Sequence, residues 1–60
     1  MIKIIRNRHN SYCIYDHIYK DGKLLGEQSN LTSKNKFGAK EYKFNGRTLS
    51  VNSWEWGVKN

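Results

Sequence analysis

Cysteine occurs once in this sequence, at Cys13; proline does not occur at all, and acidic residues number only five. A single cysteine excludes an internal disulfide and agrees with a reducing compartment. Long apolar runs are missing too. The basic stretch MIKIIRNRHN at the start has no apolar run longer than two residues, too short for a signal peptide or a membrane anchor, so a cytoplasmic protein with no membrane contact is expected. No repeat and no linker-like segment divides residues 1–60, which are read as one domain.

Catalytic and cofactor signatures are equally sparse. No glycine loop of the phosphate-binding kind is present. Asp16 and His17 are neighbours on a predicted strand and point to opposite sides, which defeats a simple acid–base pair. On an extended strand Cys13 and His17 lie about 13 Å apart, too far to share a metal ion. His9 falls in a turn with no partner to fix it. The expectation is a protein that is not an enzyme and needs no cofactor or metal, with Cys13 a packed thiol.

What the chain does have is aromatic and positive. A domain of sixty residues removes only about 60% of its unfolded surface from water. Its eight rings, Tyr12, Tyr15, Tyr19, Phe37, Tyr42, Phe44, Trp54 and Trp56, must therefore supply much of the core. Eleven Lys and Arg against five Asp and Glu give a formal charge of +6. The cations are spread along the chain rather than run together, which points to a folded basic surface rather than a disordered tail.

Two dipeptides organise the fold. Asp21-Gly22 in YKDGKL and Asn45-Gly46 in KFNGRT each lie between strand-like runs, and both are preferred centres of two-residue type I′ hairpins. Around Asn45-Gly46 the register sets Phe44 against Arg47, Tyr42 against Leu49 and Lys40 against Val51, with Glu41, Lys43, Thr48 and Ser50 on the polar side. Around Asp21-Gly22 it sets Tyr19 against Leu24, Ile18 against Leu25, His17 against Gly26 and Asp16 against Glu27. The last pair brings like charges together, so a bulge is expected there.

MIKIIR predicts a short first strand. QSNLTSKNKFGAK is polar and aperiodic, a loop in which Asn30 or Ser33 caps at most one helical turn, pinned by Leu31 and Phe37. After Val51 the apolar positions change parity, which predicts a bulge or tight turn at Asn52-Ser53. Trp54, Trp56 and Val58 then share one side of a last strand, with Trp56 expected to be the more buried and Trp54 aimed toward an edge. The fold expected is mainly β, about five short antiparallel strands in a bent sheet or small barrel, with a loop or short helical turn near residues 30–37.

NSYCIYDHIYKDGKLLGE, Asn10 to Glu27, resembles the first hairpin of the arm-site DNA-binding domains of tyrosine integrases. The likeness covers less than a third of the chain. In those domains a tyrosine-rich strand, a glycine turn and a basic strand enter the major groove, and an alanine-rich helix follows. Here a second hairpin follows instead. The Lys-, Asn- and Ile-rich composition also resembles that of small early proteins of phages and mobile elements, many of which bind and inhibit or redirect a host protein, including defence systems.

Two functions are therefore expected. The first is a nucleic-acid-binding module, for DNA or RNA, that contacts phosphates with Lys/Arg and stacks bases on rings. Its residues would be Arg6 and Arg8 at the start, the row Tyr15, His17 and Tyr19 with Lys20 and Lys23 at its hairpin tip, Lys34, Lys36 and Lys43 further on, and Trp54. The alternative is a protein-binding inhibitor whose basic surface, apolar spot or open strand edge meets an acidic partner. The chain is expected to act as a monomer or weak homodimer.

Overall fold

Both glycine turns form as the sequence predicts. Asp21 (φ 52°) with Gly22 (φ 83°) and Asn45 (φ 50°) with Gly46 (φ 77°) all occupy the left-handed region. Two successive positive φ angles define the type I′ turn, whose twist matches that of the strands it joins.

This computed structural model describes residues 1–8, 14–29, 31–32 and 34–57. Expectations placed on His9, Tyr12, Cys13, Asn30, Ser33 and Val58, and on the side chain of Arg8, lie outside the described residues. The chain is mainly β, with strands β1 (Ile2–Arg8), β2 (Ile14–Lys20), β3 (Lys23–Ser29), β4 (Glu41–Phe44), β5 (Arg47–Ser50) and β6 (Ser53–Trp56). No helix occurs among the described residues; between β3 and β4 the chain turns at Leu31-Thr32 and again at Phe37-Gly38.

The strands form an open four-stranded sheet, β3-β2-β1-β6, and the separate hairpin β4-β5. No barrel closes. Every pair is antiparallel except β1 and β6, which run parallel with Ile4 beside Trp54 and Arg6 beside Trp56. Asn52 fixes that addition: its Oδ1 accepts the Ile2 N–H at 2.7 Å while its own N–H donates to the Ile2 carbonyl at 2.8 Å. The expected break at Asn52-Ser53 is thus a corner at which the chain leaves one sheet and joins the other.

The β4-β5 register matches the expected one, Phe44 with Arg47 and Tyr42 with Leu49, and the ladder extends to a Val51 N–H bond with the Lys40 carbonyl. The β2-β3 register does not. Tyr19 pairs with Leu24, but the ladder then shifts, so that Ile18 faces Gly26, His17 faces Glu27 and Asp16 faces Gln28. The bulge lies next to the turn instead of at Asp16, and Leu25 is the extra residue. The shift removes the like-charge pair and gives His17 a carboxylate, Glu27, 3.1 Å from its Nε2.

Alternation along β1 and β2 separates two faces. One carries Ile2, Ile4, Arg6, Asp16 and Ile18, all buried, and the β4-β5 hairpin lies over it through buried Tyr42. Phe44, Leu49, Val51 and Trp54 pack around that cluster. The other face carries Lys3, Ile5, Asn7, Tyr15, His17 and Tyr19, all half-buried.

Candidate nucleic-acid interface

A charged pair sits at the centre of the covered face. Arg6 and Asp16 are cross-strand partners, 6% and 0% exposed, and join by two bonds, Nε to Oδ1 at 2.5 Å and Nη2 to Oδ2 at 2.9 Å. Burial of charge costs several kcal/mol, on the order of what good geometry and full hydrogen bonding return. Both conditions are met here. The Tyr42 hydroxyl donates to Asp16 Oδ2 at 2.8 Å, Arg6 Nη2 also donates to the Asn35 carbonyl at 3.0 Å, and the guanidinium lies 5.2 Å from the Trp54 ring centre. The hydrogen bond to Asp16 holds the guanidinium above its ordinary pKa against the opposing effect of burial. Arg6 is therefore a structural cation, and the sequence-based expectation that it meets phosphate is corrected: its charge is spent inside the fold.

The same network positions a loop. Asn35 gives its carbonyl to Arg6, while its side chain accepts the Lys43 N–H at 3.0 Å and donates to the Lys43 carbonyl at 3.2 Å. One amide thus pairs with both backbone groups of Lys43 as a neighbouring strand would. Lys34 and Lys36 flank Asn35 and are exposed, as is Lys43 on the outer side of β4. A turn closed by the Ala39 N–H bond to the Lys36 carbonyl, with Gly38 at φ 88°, then presents Phe37 at its corner. The Phe37 ring stacks on Trp56 with centroids 5.0 Å apart and planes inclined by 12°.

Trp54 and Trp56 reverse the expected order of burial. Trp54 is half-buried, with its Nε1 donating to the Ala39 carbonyl at 2.6 Å and its ring against Tyr42 and Phe37. Trp56 is 55% exposed and Phe37 41%. The corner at Asn52 explains this: Trp54 lands beside Ile4 under the hairpin, whereas Trp56 lies two residues further along, beyond the hairpin's cover. Trp54 as a stacking surface is corrected to a core ring, and Trp56 with Phe37 is the exposed pair that sequence reasoning missed. The available signal was Phe37 itself, a lone ring among lysines in SKNKFGAK.

The remaining candidates fall in other places. Tyr15, His17 and Tyr19 share the opposite sheet face, where Asn7 Nδ2 lies 2.7 Å from His17 Nδ1 and the Lys3 ammonium lies 3.0 Å from Glu55. On that face the Lys3 ammonium is matched by Glu55, and the Glu27 carboxylate lies against the His17 ring. Lys20 and Lys23 are exposed cross-strand partners at the β2-β3 turn, outside the β3-β4 loop that carries Phe37.

Pairing leaves a strong asymmetry of charge. Asp16 is held by Arg6 and Glu55 by Lys3, and Glu27 lies 3.1 Å from the His17 Nε2; Asp21 accepts from the Met1 amino group at 2.6 Å, which holds its carboxyl below the ordinary value. Exposed Lys20, Lys23, Lys34, Lys36, Lys40, Lys43 and Arg47 have no ion pair among the described residues. No group of three or more His, Cys, Asp or Glu suited to a metal ion is found among the described residues, and no helix there is long and apolar enough to cross a membrane. No protein-family model matches the chain, and no curated protein or solved structure does either.

Proposed function

We propose that the protein binds single-stranded nucleic acid, stacking a base on the outer face of the Phe37–Trp56 pair and holding the adjoining phosphates with Lys34, Lys36 and Lys43. One observation carries this reading: Phe37, one ring of an exposed stacked pair, lies on the same loop as Lys34 and Lys36, which have no ion pair among the described residues, while four of the five carboxylates are already engaged. At a centroid separation of 5.0 Å the two rings fill each other's inner faces, so a base stacks outside them rather than between them. Duplex bases present no free face, which favours single strands. The role is that of a cytoplasmic binding protein without catalysis, in keeping with the single cysteine.

Titration of labelled single- and double-stranded DNA and RNA at two salt concentrations tests it. Binding of single strands that weakens steeply with salt is expected, with quenching of Trp56 fluorescence. Absence of binding at low salt, or wild-type affinity in both Trp56→Ala and the double variant Lys34→Gln with Lys36→Gln, overturns the proposal.

A further inference from the structure

The two outer edges of the β4-β5 hairpin are treated differently. In a two-residue hairpin the pairs Phe44–Arg47 and Tyr42–Leu49 exchange backbone hydrogen bonds, so Lys43 on β4, and Thr48 and Ser50 on β5, direct their N–H and C=O outward. Asn35 satisfies both groups of Lys43. No counterpart covers Thr48 or Ser50 among the described residues, and both are exposed.

That open edge borders a cleft. All four residues of β5 line a half-open cavity of about 690 Å³ between the two hairpin turns, and its apolar surface comes from Met1, Ile2, Leu25, Phe44 and Leu49. Leu25, the residue extruded by the β2-β3 bulge, is 45% exposed there. Lys20 and Arg47 supply the side-chain charge of the lining; the Met1 amino group there is already paired with Asp21, and no carboxylate side chain is among the lining residues.

We propose that this edge receives an extended acidic peptide of a partner protein as an added strand. Its backbone would pair with Thr48 and Ser50, an alternate apolar side chain would enter the cleft, and carboxylates would meet Lys20 and Arg47. A second copy of the chain is a poor occupant, because it would bring two identical basic rims together without a carboxylate to separate them. The inference is independent of nucleic-acid binding, which uses a different loop.

The test is selection of displayed random peptides of about nine residues, the length of a long strand, against the whole protein. Selected peptides should be rich in Asp and Glu with alternating apolar positions. A synthetic copy should shift the Thr48 and Ser50 amide resonances and slow their hydrogen exchange. Lys20→Glu with Arg47→Glu, both exposed, should weaken that peptide about tenfold or more without altering the rest of the spectrum. Thr48→Pro should abolish binding by removing the outward donor, and the charge reversal provides an independent reading if that variant does not fold. The proposal is overturned if no peptide is enriched, if the enriched peptides are not acidic, or if they shift other amides. It is equally overturned if charge reversal leaves affinity unchanged, if a thymidine oligonucleotide is what occupies these amides, or if sedimentation shows a dimer that protects them without peptide.

Discussion

Asp16 and Trp56 show how far a single side chain here determines the result. Asp16 accepts two bonds from Arg6 and one from Tyr42 in a fully buried position, so Asp16→Ala strands a guanidinium without its counter-charge. Loss of a buried partner of this kind costs about 3–5 kcal/mol, a large fraction of a small domain's stability, and urea denaturation should show the variant largely unfolded. Tyr42→Phe removes one donor and should cost only about 1–2 kcal/mol. The two tryptophans divide in the same way. Trp54→Ala opens the packing among Arg6, Phe37 and Tyr42 and should cost about 3 kcal/mol or more. Trp56→Ala should leave the melting temperature nearly unchanged yet weaken single-stranded nucleic acid about 5- to 150-fold, the equivalent of one lost base stack. Equal loss of stability in both variants would contradict the division of core ring from exposed ring.

At the scale of elements, local chemistry was legible and long-range chemistry was not. Asn45-Gly46 fixes its hairpin completely, because a two-residue turn leaves one register and the alternation of Tyr42, Phe44 and Leu49 with polar residues agrees with it. Asp21-Gly22 fixes only the first pairs; beyond Tyr19–Leu24 the ladder shifts between Ile18 and Tyr19, with Leu25 left unpaired on β3. Gly26, brought opposite Ile18 by that bulge, lies under the Phe44 ring, whose tip an added Cβ would overlap. Phe44 borders the open cleft and has room to yield, so Gly26→Ala should cost about 1–2 kcal/mol, the lower part of the overpacking range, measured by denaturation. The parallel pairing of β1 with β6 had no sequence signature, since it rests on Asn52 gripping Ile2 across fifty positions. The break in parity at Asn52-Ser53 was visible, but whether the chain bulged or changed sheets was not. For the same reason the burial of Arg6 escaped notice: its partner, Asp16, is set by β1-β2 pairing, and its other acceptor, the Asn35 carbonyl, by the loop.

For the whole molecule, a charge of +6 with most acids already paired sets two responses to salt that run in opposite directions. Exposed cations without partners repel one another, most directly Lys20 and Lys23, which face each other across β2 and β3. Screening shortens that repulsion to within about 8 Å at physiological ionic strength, so the melting temperature should rise from low to moderate salt. Binding should fall over the same range. Each phosphate neutralised on a single strand contributes about −0.7 to the slope of log affinity against log salt, so three lysines should account for about −2. Replacing Lys34, Lys36 and Lys43 together by Gln should therefore flatten the slope by about 2 while raising, not lowering, stability at low salt. Calorimetry and titration on one pair of proteins measure both quantities. If the triple variant keeps the wild-type slope, phosphates are held elsewhere on the surface; if it keeps the wild-type response of melting temperature as well, these lysines neither repel their neighbours nor attract a ligand, and the charge asymmetry has no bearing on function.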